Sequence, residues 1–108
     1  MLWLPCVARM SQEFAELIGA RRWQEAEFLF KRYGYQLAWW EDPGGEFYES
    51  WADSVVDTAP ARALELYTKS LDHRCLFASW VTAGGDGPAR TAAADAVRAK
   101  ILRLAVRL

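Results

Sequence analysis

The chain has 108 residues, of which 53% are hydrophobic and 25% are charged, and its formal net charge is −1. The length suits one domain over residues 1–108, and this apolar content is too high for a disordered chain. A net charge near zero argues against general nucleic-acid binding, which needs a basic surface, and no stretch approaches the roughly 20 apolar residues of a membrane helix.

The two cysteines, Cys6 and Cys75, lie far apart, and His73 is the one histidine of the chain. Neither cysteine belongs to a CxxC pair, so a zinc site is not expected. The first ten residues are apolar but lack a basic leader and a cleavage site, which argues against a signal peptide. We therefore expect reduced thiols, a cytoplasmic location, and neither a metal nor a cofactor.

Two short amphipathic helices are predicted in the first third of the chain. Ser11 suits an N-cap, and apolar residues recur at helical spacing from there to Gly19. Residues 1–10 are then expected to form a poorly ordered lead. A second helix is predicted over 22–33, with Gly34 as the residue that follows its C-terminus.

The middle segment, 34–60, carries six acidic residues, no lysine or arginine, and six aromatic residues. Both flanks have more basic than acidic residues, so these acids either pair with the chain's own arginines or present a negative field to a partner. Within the segment, residues 35–40 alternate like a strand but also fit a continued helix. The following Asp-Pro-Gly-Gly sequence, 42–45, has the chemistry of a turn.

The third predicted helix, 46–57, has an apolar face and an opposite acidic row. The row consists of Glu46, Glu49, Asp53 and Asp57, at steps of three, four and four residues. Like charges at these spacings cost about 0.2–0.5 kcal/mol per pair, and an acid at the C-terminal end also opposes the helix dipole. Three interpretations remain: a solvated face, a row neutralised by arginines elsewhere in the chain, and a row that faces a partner protein.

Three further helices complete the prediction. Thr58 is expected to cap a fourth helix that has Pro60 in its first turn. Residues 75–83 are apolar on nearly every side and suit a buried fifth helix or a strand, and a glycine-rich break separates them from a last helix over about 88–107. The sequence therefore predicts an all-α fold of about six helices in antiparallel hairpins, arranged as a helical array or a compact bundle.

Two segments resemble the second helix of a tetratricopeptide hairpin. Each has a small residue (Ala26, Ala63), an aromatic residue four positions later (Phe30, Tyr67) and a packing position three further on (Tyr33, Ser70). The segments are offset by about 37 residues, whereas regular repeats have a period of about 34, and the family's Trp, Leu, Gly and Tyr positions in the first helix are mostly missing. The resemblance implies a tetratricopeptide-like array over about 11–72, a degenerate third hairpin behind it, and a concave surface that binds peptides or partner proteins.

No pattern in the sequence indicates catalysis. The glycine-rich segment 84–87 lacks the Lys and Ser/Thr of a phosphate-binding loop. Asp72, His73 and Cys75 are too close in sequence to orient for nucleophilic attack, and nothing near Asp42 indicates a raised carboxyl pKa. We therefore expect a protein without enzymatic activity.

Two protein-binding functions follow from these patterns. The first is a small inhibitor, such as an immunity protein, that covers a basic partner with the acidic row and nearby tryptophans. The second is a tetratricopeptide-like adaptor or secretion chaperone, whose apolar groove holds an amphipathic helix with an affinity that barely responds to salt. A homodimer between the arginine side of the last helix and the acidic row is a third alternative. The candidate partner-binding residues are Trp39, Trp40, Glu41, Asp42, Glu46, Glu49, Asp53 and Asp57.

Overall fold

A computed structural model describes residues 3–34, 37, 42–81 and 87–108. These residues form five α-helices and no strand, so the predicted all-α class is confirmed. The helices are α1 (Trp3–Gly19), α2 (Trp23–Tyr33), α3 (Pro43–Val55), α4 (Pro60–Val81) and α5 (Gly87–Arg107). The chain divides into two compact units, Met1–Pro43 and Gly44–Leu108, and the prediction of one domain stays a prediction.

The first unit contains α1 and α2, which pack against each other. Phe14 on α1 is buried and stacks on Phe30 of α2, with ring centroids 6.0 Å apart, and Ala26 is fully buried. The connection between the helices passes through Arg21, whose φ of 58° is left-handed. A side chain in this conformation costs about 1–2 kcal/mol, so the tight turn is formed at some expense of stability.

Helix α1 begins eight residues earlier than predicted, at Trp3 rather than at Ser11. Pro5 lies in the first turn, where proline is tolerated because the amide hydrogens there have no partner within the helix. Residues 3–10 are therefore helical and not a poorly ordered lead, and Ser11 lies inside the helix instead of capping it.

Gly34 follows the last residue of α2, as predicted, and it has a right-handed helical conformation with φ −56° and ψ −33°. Leu37 lies in a bend and is almost completely buried, and its amide donates to the carbonyl of Gly34. The alternatives of strand and helix for 35–40 otherwise fall outside the described residues.

Helix α3 begins at Pro43, three residues earlier than predicted, so 43–45 is a first helical turn and not a separate loop. Proline suits the first helical position because its missing amide hydrogen would have no partner there. Gly44 and Gly45 are buried, and the Ser70 hydroxyl of α4 donates to the Gly45 carbonyl at 2.7 Å. This bond brings the backbone of α3 close to α4.

Helix α4 runs without interruption from Pro60 to Val81, so the predicted fourth and fifth helices are one helix, and the described residues form five helices where about six were predicted. No glycine or proline separates the two predicted segments. Residues at the expected break also contact α3: His73 stacks on Tyr48, and Arg74 bonds to Glu49. Helix α4 begins at Pro60, so Ala59 and not the predicted Thr58 directly precedes it, and the Thr58 hydroxyl donates to the carbonyl of Val55.

The core of the second unit is built from one face of each of its three helices, and α4 packs along α5. Its buried apolar residues are Phe47, Tyr48, Trp51, Ala52, Ala63, Leu66, Tyr67, Phe77, Ala94, Val97 and Leu104. The rings of Phe47, Tyr48 and Trp51 contact one another with centroids 4.8–6.5 Å apart. Three acids of the row, Glu46, Glu49 and Asp53, lie on α3, and Glu49 and Asp53 bond to side chains of α4 and α5. Helix α3 ends at Val55, two residues earlier than predicted, so Asp57 lies in the turn that follows it.

Candidate partner-binding surface

The four carboxylates of the acidic row have two different environments. Glu46 and Asp57, at the two ends, are exposed and make no ion pair with a described residue. Glu49 and Asp53, in the middle, bond to basic side chains of α4 and α5. The interpretation of a row neutralised from within the chain thus describes the two central residues.

The two central carboxylates join an ion cluster that consists of Glu49, Asp53, Arg74 and Lys100. Arg74 Nη2 lies 2.7 Å from Glu49 Oε1, and Lys100 Nζ lies 2.7 Å from Glu49 Oε2 and 3.1 Å from Asp53 Oδ1. The side chains of Arg74 and Glu49 are only 12% and 18% exposed, whereas that of Asp53 is 50% exposed. Two acids and two bases cancel, so the cluster carries no net charge and connects the three helices of its unit.

The environment of the cluster changes two proton equilibria. Burial by itself lowers the pKa of Lys100, but hydrogen bonds to Glu49 and Asp53 outweigh burial and raise that pKa above its ordinary value. Burial, reinforced by a hydrogen bond that the Tyr67 hydroxyl donates to Asp53, raises the pKa of Tyr67. Both groups therefore stay protonated through neutral pH, so Lys100 keeps its positive charge there.

The predicted aromatic part of the surface is only partly described. Trp39, Trp40 and Glu41 fall outside the described residues. Trp51 is only 5% exposed, and its ring lies under the Arg62 guanidinium at 5.0 Å. Asp42 is also buried, with a left-handed φ of 53°. Neither Asp42 nor Trp51 therefore offers an open contact surface.

A half-open groove lies beside the ion cluster and encloses about 170 Å³. Its lining residues are Val56, Tyr67, Lys100, Arg103, Leu104 and Arg107. Arg103 and Arg107 are exposed and make no ion pair or hydrogen bond with a described residue. The groove thus combines an apolar floor with two arginines that no acid of the described chain neutralises.

Apolar side chains are also exposed on the C-terminal half of α5, near the groove. Leu102 is 61% exposed and Val106 is 88% exposed. At about 100° per residue, these two share one side of the helix, and Arg103 and Arg107 lie between that side and the groove. We call Leu102, Arg103, Val106 and Arg107 the α5 face. Leu102 and Val106 form the apolar side of this face, and Arg103 and Arg107 form its basic side.

Sequence reasoning placed the two arginines on the charged side of the last helix but assigned them no partner. Leu102 and Val106 were not singled out, although both fall outside the steps of three and four residues that relate Val97, Ile101 and Leu104. Apolar residues off the buried face of a helix were the signal that could have found this surface.

The structure describes the surroundings of two residues that were considered for catalysis. His73 stacks on the Tyr48 ring, and the exposed Cys75 thiol lies 4.0 Å from Arg98 Nη2. Over the part of the chain that the structure describes, no three His, Cys, Asp or Glu residues are grouped so that they could hold a metal ion. Residues 84–86 of the glycine-rich segment lie outside that part.

None of the described helices combines the length and the apolar character needed to cross a bilayer. Comparison with known proteins gives no further assignment, since no family model, curated protein or solved structure matches this chain. The geometry of the side chains is therefore the basis for a functional proposal.

Proposed function

We propose that the chain is a non-enzymatic, cytoplasmic protein-binding module that binds an amphipathic helix of a partner protein on its α5 face. One observation carries the proposal: Leu102 and Val106 are exposed one helical turn apart, beside two exposed arginines. Adjacent exposed apolar side chains rimmed by charges are typical of protein contact surfaces, because binding removes them from water.

The sizes of the groups suit helix binding. Side chains four residues apart on a helix are neighbours, so Leu102 and Val106 present a short apolar ridge of about one turn. An amphipathic helix packs its own i, i+4 apolar positions against such a ridge. Arginine is also favoured in protein contacts, since its long apolar stem packs while the guanidinium reaches a polar rim.

The acidic row supports partner binding less well than α5 does. A basic partner that engaged Glu49 would compete with Arg74 and Lys100, both within 2.7 Å of its carboxylate. Breaking such partly buried pairs exposes charges that lose their partners, at a cost of several kcal/mol in the buried limit. Glu46 and Asp57 remain available, but they lie at opposite ends of the row.

The tetratricopeptide-like arrangement belongs to this proposal as well. The packing of α1 against α2 is what a first hairpin of such an array requires. The continuous α4 departs from the expected third hairpin, because one helix occupies the place of two. An adaptor or secretion chaperone built on helical hairpins is the class of protein with which the proposed helix-binding surface agrees.

The proposal is tested by affinity capture with matched variants, followed by titration of the purified partner. Leu102→Ser with Val106→Ser removes the apolar ridge at exposed sites, so the chain should remain folded by circular dichroism. We expect the partner's dissociation constant to rise at least tenfold. Glu46→Gln with Asp57→Gln is the control, also at exposed sites, and should leave the dissociation constant within about twofold.

The exposure of Glu46 and Asp57 favours a second candidate, the immunity-type inhibitor of a basic partner. In that case the pattern reverses: the Glu46 and Asp57 variant loses the partner, and the Leu102 and Val106 variant keeps it. Association with the acidic face would also slow steeply as salt is added, because electrostatic steering is screened. That result would refute binding on the α5 face.

A further inference from the structure

The groove beside the α5 face carries positive charge that the described chain does not cancel. Lys100 is already neutralised by Glu49 and Asp53. Arg103 and Arg107 are not, and Asp57, which follows the groove residue Val56 in the chain, makes an ion pair with neither. The groove therefore has an excess of two positive charges at its rim.

The volume of the groove limits what it can hold. Small-molecule sites usually enclose about 300–1,000 Å³, and this groove encloses only about 170 Å³. Its floor includes the apolar side chains of Val56 and Leu104 and the ring of Tyr67. The Tyr67 hydroxyl and the Lys100 ammonium are occupied by Asp53. A single apolar side chain fits this space and chemistry better than a polar metabolite does.

From these observations we infer that the partner segment is acidic: one apolar side chain of it enters the groove, and its carboxylates bind Arg103 and Arg107. This inference rests on the proposed function and specifies the partner's chemistry. It commits to an acidic helical segment of another protein. A second copy of the chain and a free anion are outcomes of the test.

The spacing of the arginines explains why a helix suits them. Arg103 and Arg107 are four residues apart, so their side chains start about 5–6 Å from each other on the helix surface. Two carboxylates at i and i+4 of a partner helix have the same separation. Guanidinium groups bind carboxylates through two parallel hydrogen bonds, so the pairs attract the two helices and also set the register between them.

The experiment uses the full chain and a synthetic helical peptide of about 18 residues, or five turns. The peptide carries leucines at i, i+4 spacing and glutamates beside them, and two control peptides replace either all glutamates with lysine or the central leucine with alanine. Dissociation constants are measured by fluorescence anisotropy at low and high salt. Amide chemical shifts of labelled protein report where the peptide binds.

We expect the acidic peptide to bind and to shift the amides of 103–107 and Tyr67. The lysine peptide should not bind, and the alanine peptide should bind about tenfold or more weakly, since a buried leucine loses three carbons. In the protein, Arg103→Gln with Arg107→Gln should weaken the acidic peptide by about three- to thirtyfold, as two exposed ion pairs are lost. Arg62→Gln with Arg98→Gln changes the net charge equally and should have little effect.

Four outcomes would overturn the inference. Two concern the peptide: the acidic peptide does not bind, or the two double arginine variants weaken its binding equally. In the other two, inorganic phosphate abolishes peptide binding at low millimolar concentration, or the protein self-associates and the Arg103 and Arg107 changes abolish that association. Sedimentation velocity of the protein alone tests the last of these. If the acidic peptide fails but a captured partner still depends on Leu102 and Val106, the inference is wrong and the proposed function stands.

Discussion

The ion cluster that joins α3, α4 and α5 is expected to stabilise the fold, and Lys100→Met measures how much. Methionine keeps an unbranched apolar stem of similar length, so the change removes the ammonium with little loss of packing. The ammonium makes contacts of 2.7 Å to Glu49 and 3.1 Å to Asp53. All of these bonds are lost together in the variant.

The expected cost follows from the burial of the three side chains. Lys100 is 29% exposed, Glu49 18% and Asp53 50%, which lies between the surface and the buried limits. Exposed ion pairs contribute about 0–1 kcal/mol, and breaking a buried pair costs about 3–5 kcal/mol. Glu49 keeps Arg74 in the variant, and Asp53 keeps the hydroxyl of Tyr67. We therefore expect a loss of about 1–2.5 kcal/mol in the free energy of unfolding.

The assay is urea unfolding followed by circular dichroism at neutral pH, with Arg98→Met as the matched control on the same helix. Arg98 forms an ion pair with Asp95, in which the two side chains are 49% and 60% exposed, and its contact with the Cys75 thiol is long at 4.0 Å, so its loss should cost less than about 1 kcal/mol. A cycle that adds Glu49→Gln should give a coupling energy with Lys100 of about 1–2 kcal/mol. Equal losses for the two variants, or a coupling energy near zero, would show that the cluster does not hold the helices together.

Three other predictions concern stability. Leu66→Ala, at a fully buried site, should lower the unfolding free energy by about 2–5 kcal/mol. The control Leu102→Ala, at an exposed site, should change it by less than about 0.5 kcal/mol. Similar urea midpoints for the two variants would contradict the placement of Leu66 in the core. Arg21→Gly should raise the thermal midpoint, because glycine adopts the left-handed φ of 58° without strain, and the gain in unfolding free energy should be about 0.5–1 kcal/mol. The control Gln24→Gly, inside α2, should lower the midpoint by a similar amount. A lower midpoint for the Arg21 variant would show that Arg21 is not strained. The pKa values of Tyr67 and Lys100 are raised above their ordinary 10.0 and 10.5, so the unfolded chain releases these protons first and stability falls as the pH rises above about 10. Each group contributes a slope of at most about 1.4 kcal/mol per pH unit, and Tyr67→Phe should flatten the decline between about pH 10 and 11; an unchanged slope in that variant would exclude Tyr67 as a cause.

Helix boundaries were predicted well where the sequence contains a strong local signal. Pro60 lies in the first turn of α4 as predicted, and α2 differs from its predicted range by one residue. The errors arose where a residue type has two common uses. Residues 1–10, which include Pro5, were expected to be a poorly ordered lead, and Pro43 was taken as part of a turn. Proline in a first helical turn is compatible with a helix, and both prolines lie in first turns.

The acidic row illustrates a second limit. Its spacing at steps of three and four residues could be read from the sequence, and three interpretations of its charge followed. Choosing among them required knowing that Arg74, 25 residues away, and Lys100, 51 residues away, lie beside Glu49. No local pattern contains that information, because ion pairs between helices depend on how the helices pack.

The sequence by itself determined the class of this protein: helical periodicity and the scarcity of strand patterns are local properties, and they led to the all-α fold that is observed. Only the tertiary structure decided which charges remain available to a partner. Packing of α3 against α4 and α5 neutralised Glu49 and Asp53 and left Arg103 and Arg107 without an acid among the described residues. The physical reason is that opposite charges nearby cancel most of the field that a charged side chain presents to a partner. The residues that carry those opposite charges are distant in sequence and come close only when the helices pack.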